Sequence, residues 1–160
     1  MTIQHVIEVQ HEVPLPETVD LKFLRVAALA TLKQQRVETP VELTVVITDD
    51  DSLQALNRRF RDVDRPTDVL SFANEARGPF AGGVTGRPQY LGDVVISLPT
   101  AERQADDAGC LLTEELQLLI VHGTLHLLGY DHETPRGKVQ MWAVQERLLE
   151  LLDVDAPLPE

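Results

Sequence analysis

The chain has 160 residues, 43% of them hydrophobic, and a formal net charge of −12. This size suits one globular domain, residues 1–160, which can bury a core without disulfides or a structural metal as its main support. The acidic charge argues against a protein that coats nucleic acid nonspecifically, so any contact with nucleic acid requires a local basic patch.

A targeting sequence has a basic stretch followed by an apolar run. The amino-terminal segment lacks this pattern. No stretch of about 18 uncharged apolar residues is present either. The single cysteine, Cys110, cannot form an internal disulfide and is expected to act as a small buried hydrophobe. We therefore expect a cytoplasmic protein without a membrane span.

Hydrophobic periodicity predicts alternating strands and helices in the amino-terminal part. Residues 3–9 and 41–47 alternate between apolar and more polar side chains, as half-buried strands do. A helix is predicted between them, starting near Pro16 and Glu17. Its apolar residues at helical spacing are Val19, Phe23, Val26 and Ala30.

An acidic run over residues 49–51 lies where the second predicted strand ends and the next helix begins. That helix carries Leu53, Leu56 and Phe60. Carboxylates at a helix amino terminus cap free N–H groups and complement the helix dipole. We therefore expect a structural role for the acidic run rather than a metal cluster.

Two further strands are predicted over residues 68–72 and 90–97, followed by a helix from about Pro99 to Ala108. The segment EARGPFAGGVTGRPQ, residues 75–89, is rich in glycine and proline, which predicts a loop. A loop of this length is either functional or a plain surface excursion, and its composition favours neither.

The next helix is the most informative element. Thr113 is expected to cap it, and Glu114 and Glu115 suit its first turn. Gly129 can end it in a left-handed conformation. The intervening sequence LQLLIVHGTLHLL is apolar on nearly every face, which predicts a helix buried in the core.

A last helix is predicted to open at Thr134 and Pro135. Its inner side is expected to carry Val139, Trp142 and Leu149. Residues 155–160 are expected to form a frayed tail.

Three histidines lie in the sequence VHGTLHLLGYDH. At 3.6 residues per turn, His122 and His126 project from one helix face, and the turn at Gly129 can bring His132 back toward them. A single buried histidine is more often a hydrogen-bonded core residue than a ligand. Three at this spacing favour a metal site, because the apolar helix offers few other partners for three imidazoles.

Three neutral nitrogen ligands with an open fourth position describe a catalytic zinc site better than a structural one, which normally has four protein ligands. Zinc, one ion per chain, is the leading metal, although imidazole also suits nickel, copper and iron. Asp131 can either orient a ligand ring or only shape the turn, and the sequence favours neither role.

The spacing H-x-x-x-H-x-x-G-x-x-H is that of a class of zinc hydrolases with a glutamate after the first histidine, where this chain has Gly123. A zinc-bound water can reach a pKa of about 7, so hydroxide can form without that carboxylate. We therefore expect Gly123 to leave space for a phosphodiester beside the metal. Peptide hydrolysis fits less well, because the leaving group would lack its usual acid.

The acidic chain becomes locally basic at four arginines: Arg58, Arg59, Arg61 and Arg65. The planar guanidinium fork of arginine suits two-pronged binding of phosphate. Arginines at an exposed helix end usually form a solvated surface, and only together with the three histidines do they favour binding of a phosphate substrate.

Three segments resemble the YbeY endoribonucleases, a family of bacterial ribosomal RNA maturation factors. They are VHGTLHLLGYDH from Val121, LNRRFRDVDRPTDVLSF from Leu56, and LGDVVIS from Leu91. The resemblance covers about residues 41–145, and its histidine signature is highly specific. Many relatives have a proline after LSF, where this chain has Ala73.

The resemblance implies an α+β fold in which a small mixed four-stranded sheet packs around the buried helix. It implies that the three histidines bind a metal and that Arg61 is functionally important. It further implies a single-strand-specific endoribonuclease that acts in 3′-end processing of 16S ribosomal RNA and in ribosome quality control. The implied partners are RNA, the ribosomal small subunit and its assembly proteins.

Two other functions stay open at this point. One is a non-catalytic ribosome-assembly factor whose metal is mainly structural. The other is a peptidase-like zinc hydrolase, which Gly123 disfavours.

Overall fold

The computed structural model describes residues 3–74 and 88–154. In these residues, four strands form one sheet and five helices surround it. The strands are β1 (Val6–His11), β2 (Val41–Thr48), β3 (Val69–Ala73) and β4 (Gln89–Ser97). The helices are α1 (Leu21–Gln34), α2 (Asp50–Arg61), α3 (Leu98–Ala108), α4 (Leu112–Leu127) and α5 (Pro135–Leu151).

The sheet is mixed and has the strand order β1-β2-β4-β3. β1, β2 and β4 run parallel to one another, whereas β3 runs antiparallel to β4 at the edge. Ala73, where many relatives have proline, is the last residue of β3 and pairs with Gly92. The predicted α+β fold with a mixed four-stranded sheet is confirmed.

The two faces of the sheet bury separate apolar clusters, because successive side chains of a strand point to opposite faces. On one face, Val45 and Ile47 of β2 pack in the main core together with side chains of α1, α4 and α5. On the other face, Val95 of β4 packs with Leu53 of α2 and Leu70 of β3.

Helix α4 is the centre of the fold. It contacts α1, α3, α5, β3 and β4, and 11 of its 16 residues are buried. Gly129, just beyond its end, has a φ of 103°, in the range that favours glycine. The prediction of a buried central helix that ends at this glycine is confirmed.

The acidic run after β2 has the structural role expected of it. The Asp49 side chain accepts a hydrogen bond from the backbone N–H of Ser52 at 2.9 Å and so caps α2. Asp50 accepts hydrogen bonds from the hydroxyls of Ser97 and Thr100 and from Arg103, all in or next to α3. These contacts join the start of α2 to the start of α3.

Several predicted helix features are wrong in detail. Helix α1 starts at Leu21 after the cap Asp20, not near Pro16, because the Asp20 side chain accepts from the backbone N–H of Lys22. Helix α4 starts one residue before Thr113, and its first turn is closed by Glu114, whose carboxylate accepts from the backbone N–H of Leu111 at 3.0 Å.

Two predicted apolar faces are also wrong in part. In α1, Phe23 and Val26 are exposed, and the helix buries a different face: Leu24, Ala27, Ala28, Thr31 and Leu32. In α5, Val139 is 70% exposed, whereas Leu149 is buried as predicted. The first strand begins at Val6, so Ile3 lies before it.

The predictions for the loop and for the chain ends are only partly covered by the residues that the structure describes. The predicted loop over residues 75–89 lies mostly outside the described residues, and Gln89 already belongs to β4. The expected tail, residues 155–160, lies outside them as well. Within the described ranges, no helix has the length and apolar character needed to cross a membrane.

Helix α4 lies unusually close to the sheet at Gly123. A Cβ atom at this position would lie 2.5 Å from Cγ1 of Val94 and 3.1 Å from Oγ of Ser71. The Ser71 hydroxyl donates a hydrogen bond to the Gly123 carbonyl at 2.8 Å. A side chain at position 123 would therefore push the helix away from β3 and β4.

We expect Gly123→Ala to lower the free energy of unfolding by roughly 1–3 kcal/mol, the usual range for an overpacked core. A glycine-to-alanine change inside a helix otherwise stabilises by about 0.5–1 kcal/mol, so the sign of the change is diagnostic. The measurement is equilibrium denaturation in urea. In a Val94→Ala background the same substitution should cost less, because the clashing methyl group is gone. An equal loss in both backgrounds would show that this contact is not the cause.

Candidate metal centre and cleft

A cleft of about 1440 Å³ lies beside α4. Its walls come from β3, from the carboxyl-terminal parts of α2 and α3, from the turn after α4, and from Trp142 of α5. The three histidines of the motif do not all sit on α4, since His132 follows the turn. All three line this cleft.

The three imidazoles converge on one point. One ring nitrogen of each of His122, His126 and His132 lies within 4.8 Å of the others. The Nε2 atoms of His122 and His126 are 3.0 Å apart, and the ring of His132 lies 5.4 Å and 5.1 Å from their ring centroids. The structure thus brings together the three residues that the spacing predicted would meet.

Hydrogen bonds fix the tautomers of the two helical histidines. Nδ1–H of His126 donates to the backbone carbonyl of Tyr130 at 2.9 Å, and Nδ1–H of His122 donates to Oε1 of Gln145 at 2.7 Å. A backbone carbonyl can only accept, so the proton of the His126 ring is on Nδ1. With the side-chain oxygen of Gln145 facing His122, as the structure has it, the proton of the His122 ring is on Nδ1 as well. Both Nε2 atoms then present lone pairs toward each other.

This arrangement of histidine nitrogens fits a metal ion. Two lone pairs facing each other at 3.0 Å repel unless a cation lies near both. Nitrogen atoms bound to one tetrahedral zinc at 2.0–2.1 Å would lie about 3.3 Å apart, close to the observed distance. Among the described residues this is the one group of three ligand side chains that could hold a metal. The cluster can therefore bind a metal ion.

The electrostatics of the site favour the neutral form of the histidines, which is the form that binds a metal. Burial, with the neighbouring His126 as the next cause, lowers the pKa of His122 to about 4. Burial also lowers the pKa of His126. Both rings are therefore neutral at pH 7, the protonation state that a metal requires.

The third histidine and its surroundings are more exposed. Trp142 meets the rings of His122 and His132 edge to face, at 5.9 Å and 5.4 Å between centroids. Asp131 accepts a hydrogen bond from the backbone N–H of Glu133 at 2.8 Å. Of its two open roles, the structure shows the turn-shaping one, while Gln145 and Tyr130 orient the two helical rings.

Arg61 lies on the same cleft as the histidines. Its Nη2 donates to the backbone carbonyl of Ser71 at 3.3 Å, and the Ser71 hydroxyl in turn bonds to the Gly123 carbonyl of α4. The guanidinium is close enough to His126 to contribute, as the smallest cause, to the lowering of its pKa. Arg61 and the histidine cluster therefore share the cleft in which a phosphate would bind.

The structure separates the other three arginines. Arg65 lines the cleft, and its backbone carbonyl accepts from Asn57. Arg58 lies 3.8 Å from Asp64 with both side chains about two-thirds exposed, and Arg59 lies 5.0 Å from the ring of Phe60. Neither of these two is among the residues that line the cleft.

The expectation that Gly123 leaves space for a phosphodiester is wrong. The missing Cβ points at Val94 and Ser71, which belong to the sheet, so the glycine opens no room beside the histidines. The same geometry leaves no place for a glutamate here. A glutamate at position 123 would therefore require the helix and the sheet to move apart.

Sequence reasoning missed two residues, one that lines this cleft and one that lies behind it. Gln145 of α5 is fully buried and bonds to His122 across 23 residues, a contact that no local pattern reveals. Glu115 was assigned only to the first turn of α4, yet it is buried and lines the cleft. A charged residue in an otherwise apolar helix was the signal that could have identified it.

A mixed sheet around a buried helix, with converging histidines at the end of that helix, defines an α+β protein with a candidate metal centre. The family model described as Endoribonuclease YbeY matches residues 6–153. The chain belongs to this family, and the match extends beyond the residues 41–145 over which the resemblance was noted.

Individual relatives agree with this assignment. The Endoribonuclease YbeY of Moorella thermoacetica is 47% identical over 130 residues, which cover 80% of this chain and 81% of that protein. The Endoribonuclease YbeY of Roseiflexus sp. strain RS-1 is 41% identical over 150 residues, covering 93% and 94%. The solution structure of TM1509 from Thermotoga maritima has a TM-score of 0.58 at 26% identity, covering 92% and 89%.

Gln145 should orient His122, because its side-chain carbonyl fixes the ring tautomer. We expect Gln145→Leu to weaken metal affinity by roughly 10–100-fold, the usual effect of losing a partner that orients a ligand. The measurement is competition with a chromogenic chelator. Gln140→Leu, an exposed change on the same helix, is the matched control and should leave affinity unchanged. Equal metal affinity in both variants would show that Gln145 does not contribute to metal binding.

Proposed function

We propose that this chain is a metal-dependent endoribonuclease specific for single-stranded RNA. The observation that carries the proposal is the pair of histidine Nε2 atoms, 3.0 Å apart, in a cleft that also contains Arg61. Membership of the Endoribonuclease YbeY family supports the same activity. The proposed process is ribosomal RNA maturation, including 3′-end processing of 16S ribosomal RNA, and ribosome quality control.

We assign zinc, one ion per chain, as the metal, since three neutral imidazoles are ligands that zinc prefers. The proposed ligands are His122, His126 and His132. The proposed partners are RNA, the ribosomal small subunit and its assembly proteins, in the cytoplasm. The whole chain, residues 1–160, is proposed to act as one domain.

The residues of the chain have distinct tasks in this proposal. A bound zinc ion supplies a Lewis acid and a water of lowered pKa. Gln145 and the Tyr130 carbonyl hold the ligand rings in the correct tautomer. Arg61 binds the phosphate oxygens and stabilises the charge that develops on them, because its guanidinium is held in place before the reaction. Arg65 is a further substrate contact, and Arg58 and Arg59 contribute only to the surface potential.

A peptidase function is disfavoured by the packing at Gly123. The class of zinc peptidases with this histidine spacing carries its glutamate base at that position. Here a side chain at that position would clash with Val94 and force the helix away from the sheet.

The proposal is tested by elemental analysis of the purified protein together with cleavage of single-stranded RNA at substoichiometric enzyme. We expect bound zinc and many turnovers, both abolished by a chelator. His132→Ala should lower metal occupancy and cleavage together, because it removes one of three ligands. Full occupancy in this variant would exclude His132 as a ligand. Bound metal without chelator-sensitive cleavage would support a non-catalytic assembly factor instead.

Arg61 should act on the substrate and not on the metal. We expect Arg61→Ala to keep metal content and melting temperature while single-turnover cleavage falls by roughly 10²–10³-fold, the scale of losing one preorganised donor. Arg61→Lys should recover only part of the rate, because an ammonium cannot make the two-pronged contact. Arg58→Ala, an exposed change on the same helix, is the control. An equal loss of cleavage rate in both alanine variants would show that the arginines act only through surface charge.

A further inference from the structure

A buried carboxyl group lines the cleft some distance from the three histidines. Glu115 of α4 is only 4% exposed, and what remains accessible faces the cleft. Among residues 3–74 and 88–154, none donates a hydrogen bond to this carboxyl group. A polar group buried at this level normally has a partner, so its retention here requires an explanation.

Asp68 accompanies Glu115 in the cleft. Burial raises the pKa of Glu115 to about 7, and the charge of Asp68 is the second cause. Asp68 itself is held firmly: one carboxylate oxygen accepts from the backbone N–H of Val69 at 2.8 Å, and the other accepts from Gln104 at 3.4 Å. Two carboxyl groups therefore line the cleft, and hydrogen bonds hold that of Asp68 in place.

The position of Glu115 relative to the histidines is set by α4. Glu115 and His122 are seven residues apart on this helix, which is about two turns or roughly 10 Å along the axis, on nearly the same face. This separation is comparable with the span of a nucleotide from its phosphate to the edge of its base. Both residues line the same cleft.

The carboxyl pair does not suit a metal ion or a phosphate. Within the described part of the chain, no third ligand group lies close enough to complete a metal site with these two residues. Phosphate would be repelled by the carboxylates. A group that donates hydrogen bonds without carrying a charge fits them, and the amino group of a nucleobase is such a donor.

We propose that Glu115 and Asp68 form a nucleobase subsite that prefers bases with an exocyclic amino group over uracil. The proposal rests on the proposed function, in which a phosphate is held near the histidines and Arg61. An amino group donates to the carboxyl oxygens, as cytosine N4 donates to Glu or Asp. When both carboxyl groups are ionised, uracil presents a carbonyl at the same place, and this carbonyl would meet a carboxylate oxygen that can only accept.

The test uses the zinc-loaded protein and two nucleotides that an endonuclease cannot cleave, CMP and UMP. They differ by one amino group against one carbonyl oxygen. In calorimetric titration at pH 8, where the Glu115 carboxyl group is mostly ionised, we expect CMP to bind roughly tenfold more tightly than UMP. Glu115→Gln and Glu115→Leu should each bring the two affinities within about twofold of each other. Glu102→Gln, an exposed carboxylate on α3 outside the cleft, should keep the parent ratio.

A melting curve for each Glu115 variant is the control for folding. A group whose pKa is raised on folding contributes stability that is fully present below its unfolded pKa of about 4.5 and is lost as pH rises through about 7. Glu115→Gln should therefore melt above the parent at pH 8 and close to it at pH 5. The charged or titratable side chains that share the described cleft walls with Glu115 are Arg61, Arg65, Asp68, Asp107, His122, His126, Tyr130, Asp131, His132 and Glu133.

Equal binding of CMP and UMP by the parent, absence of binding of both, or an unchanged ratio in Glu115→Leu would each overturn the subsite. A parent that cleaves RNA but does not distinguish the two nucleotides contradicts only the subsite. A parent that distinguishes them but does not cleave RNA contradicts only the proposed activity.

Discussion

The contact of α4 with the sheet at Gly123 is the constraint on which the candidate site depends. Because Gly123 has no side chain, the helix lies against Val94, and the Ser71 hydroxyl reaches the helix backbone. The backbone carbonyl of the same serine accepts from Arg61. One close packing contact thus fixes three things relative to one another: the helix that carries two ligands, the edge strand β3, and the arginine proposed to bind phosphate.

The convergence of the histidines was predictable because it depends almost entirely on local geometry. A helix places His122 and His126 on one face, and the buried character of that helix follows from its apolar sequence. Gly129 then adopts the positive φ that returns the chain toward His132. The capping role of Asp49 was predictable for the same reason, since a cap and its helix are neighbours in sequence.

The features that sequence reasoning missed depend on contacts between distant segments. Helix α1 is apolar on more than one side, and its packing against α4, β1 and α5 selects Ala27 and Ala28 for burial over Phe23. Small residues there allow the two helices to approach closely. The partner of His122, Gln145, lies on another helix, and nothing in its own neighbourhood marks it. Periodicity identifies which residues can be buried, whereas the tertiary contacts decide which are.

The low polarity of the environment of α4 has opposite effects on its basic and acidic groups. Burial disfavours the charged form of any group, so it lowers the pKa of His122 to about 4 and raises that of Glu115 to about 7. The first shift keeps the imidazole ready for a metal at neutral pH. The second leaves a carboxyl group poised between its neutral and charged forms. A helix that were less buried would lose both properties together, so the apolar sequence around the histidines is a condition for their chemistry as well as for the fold.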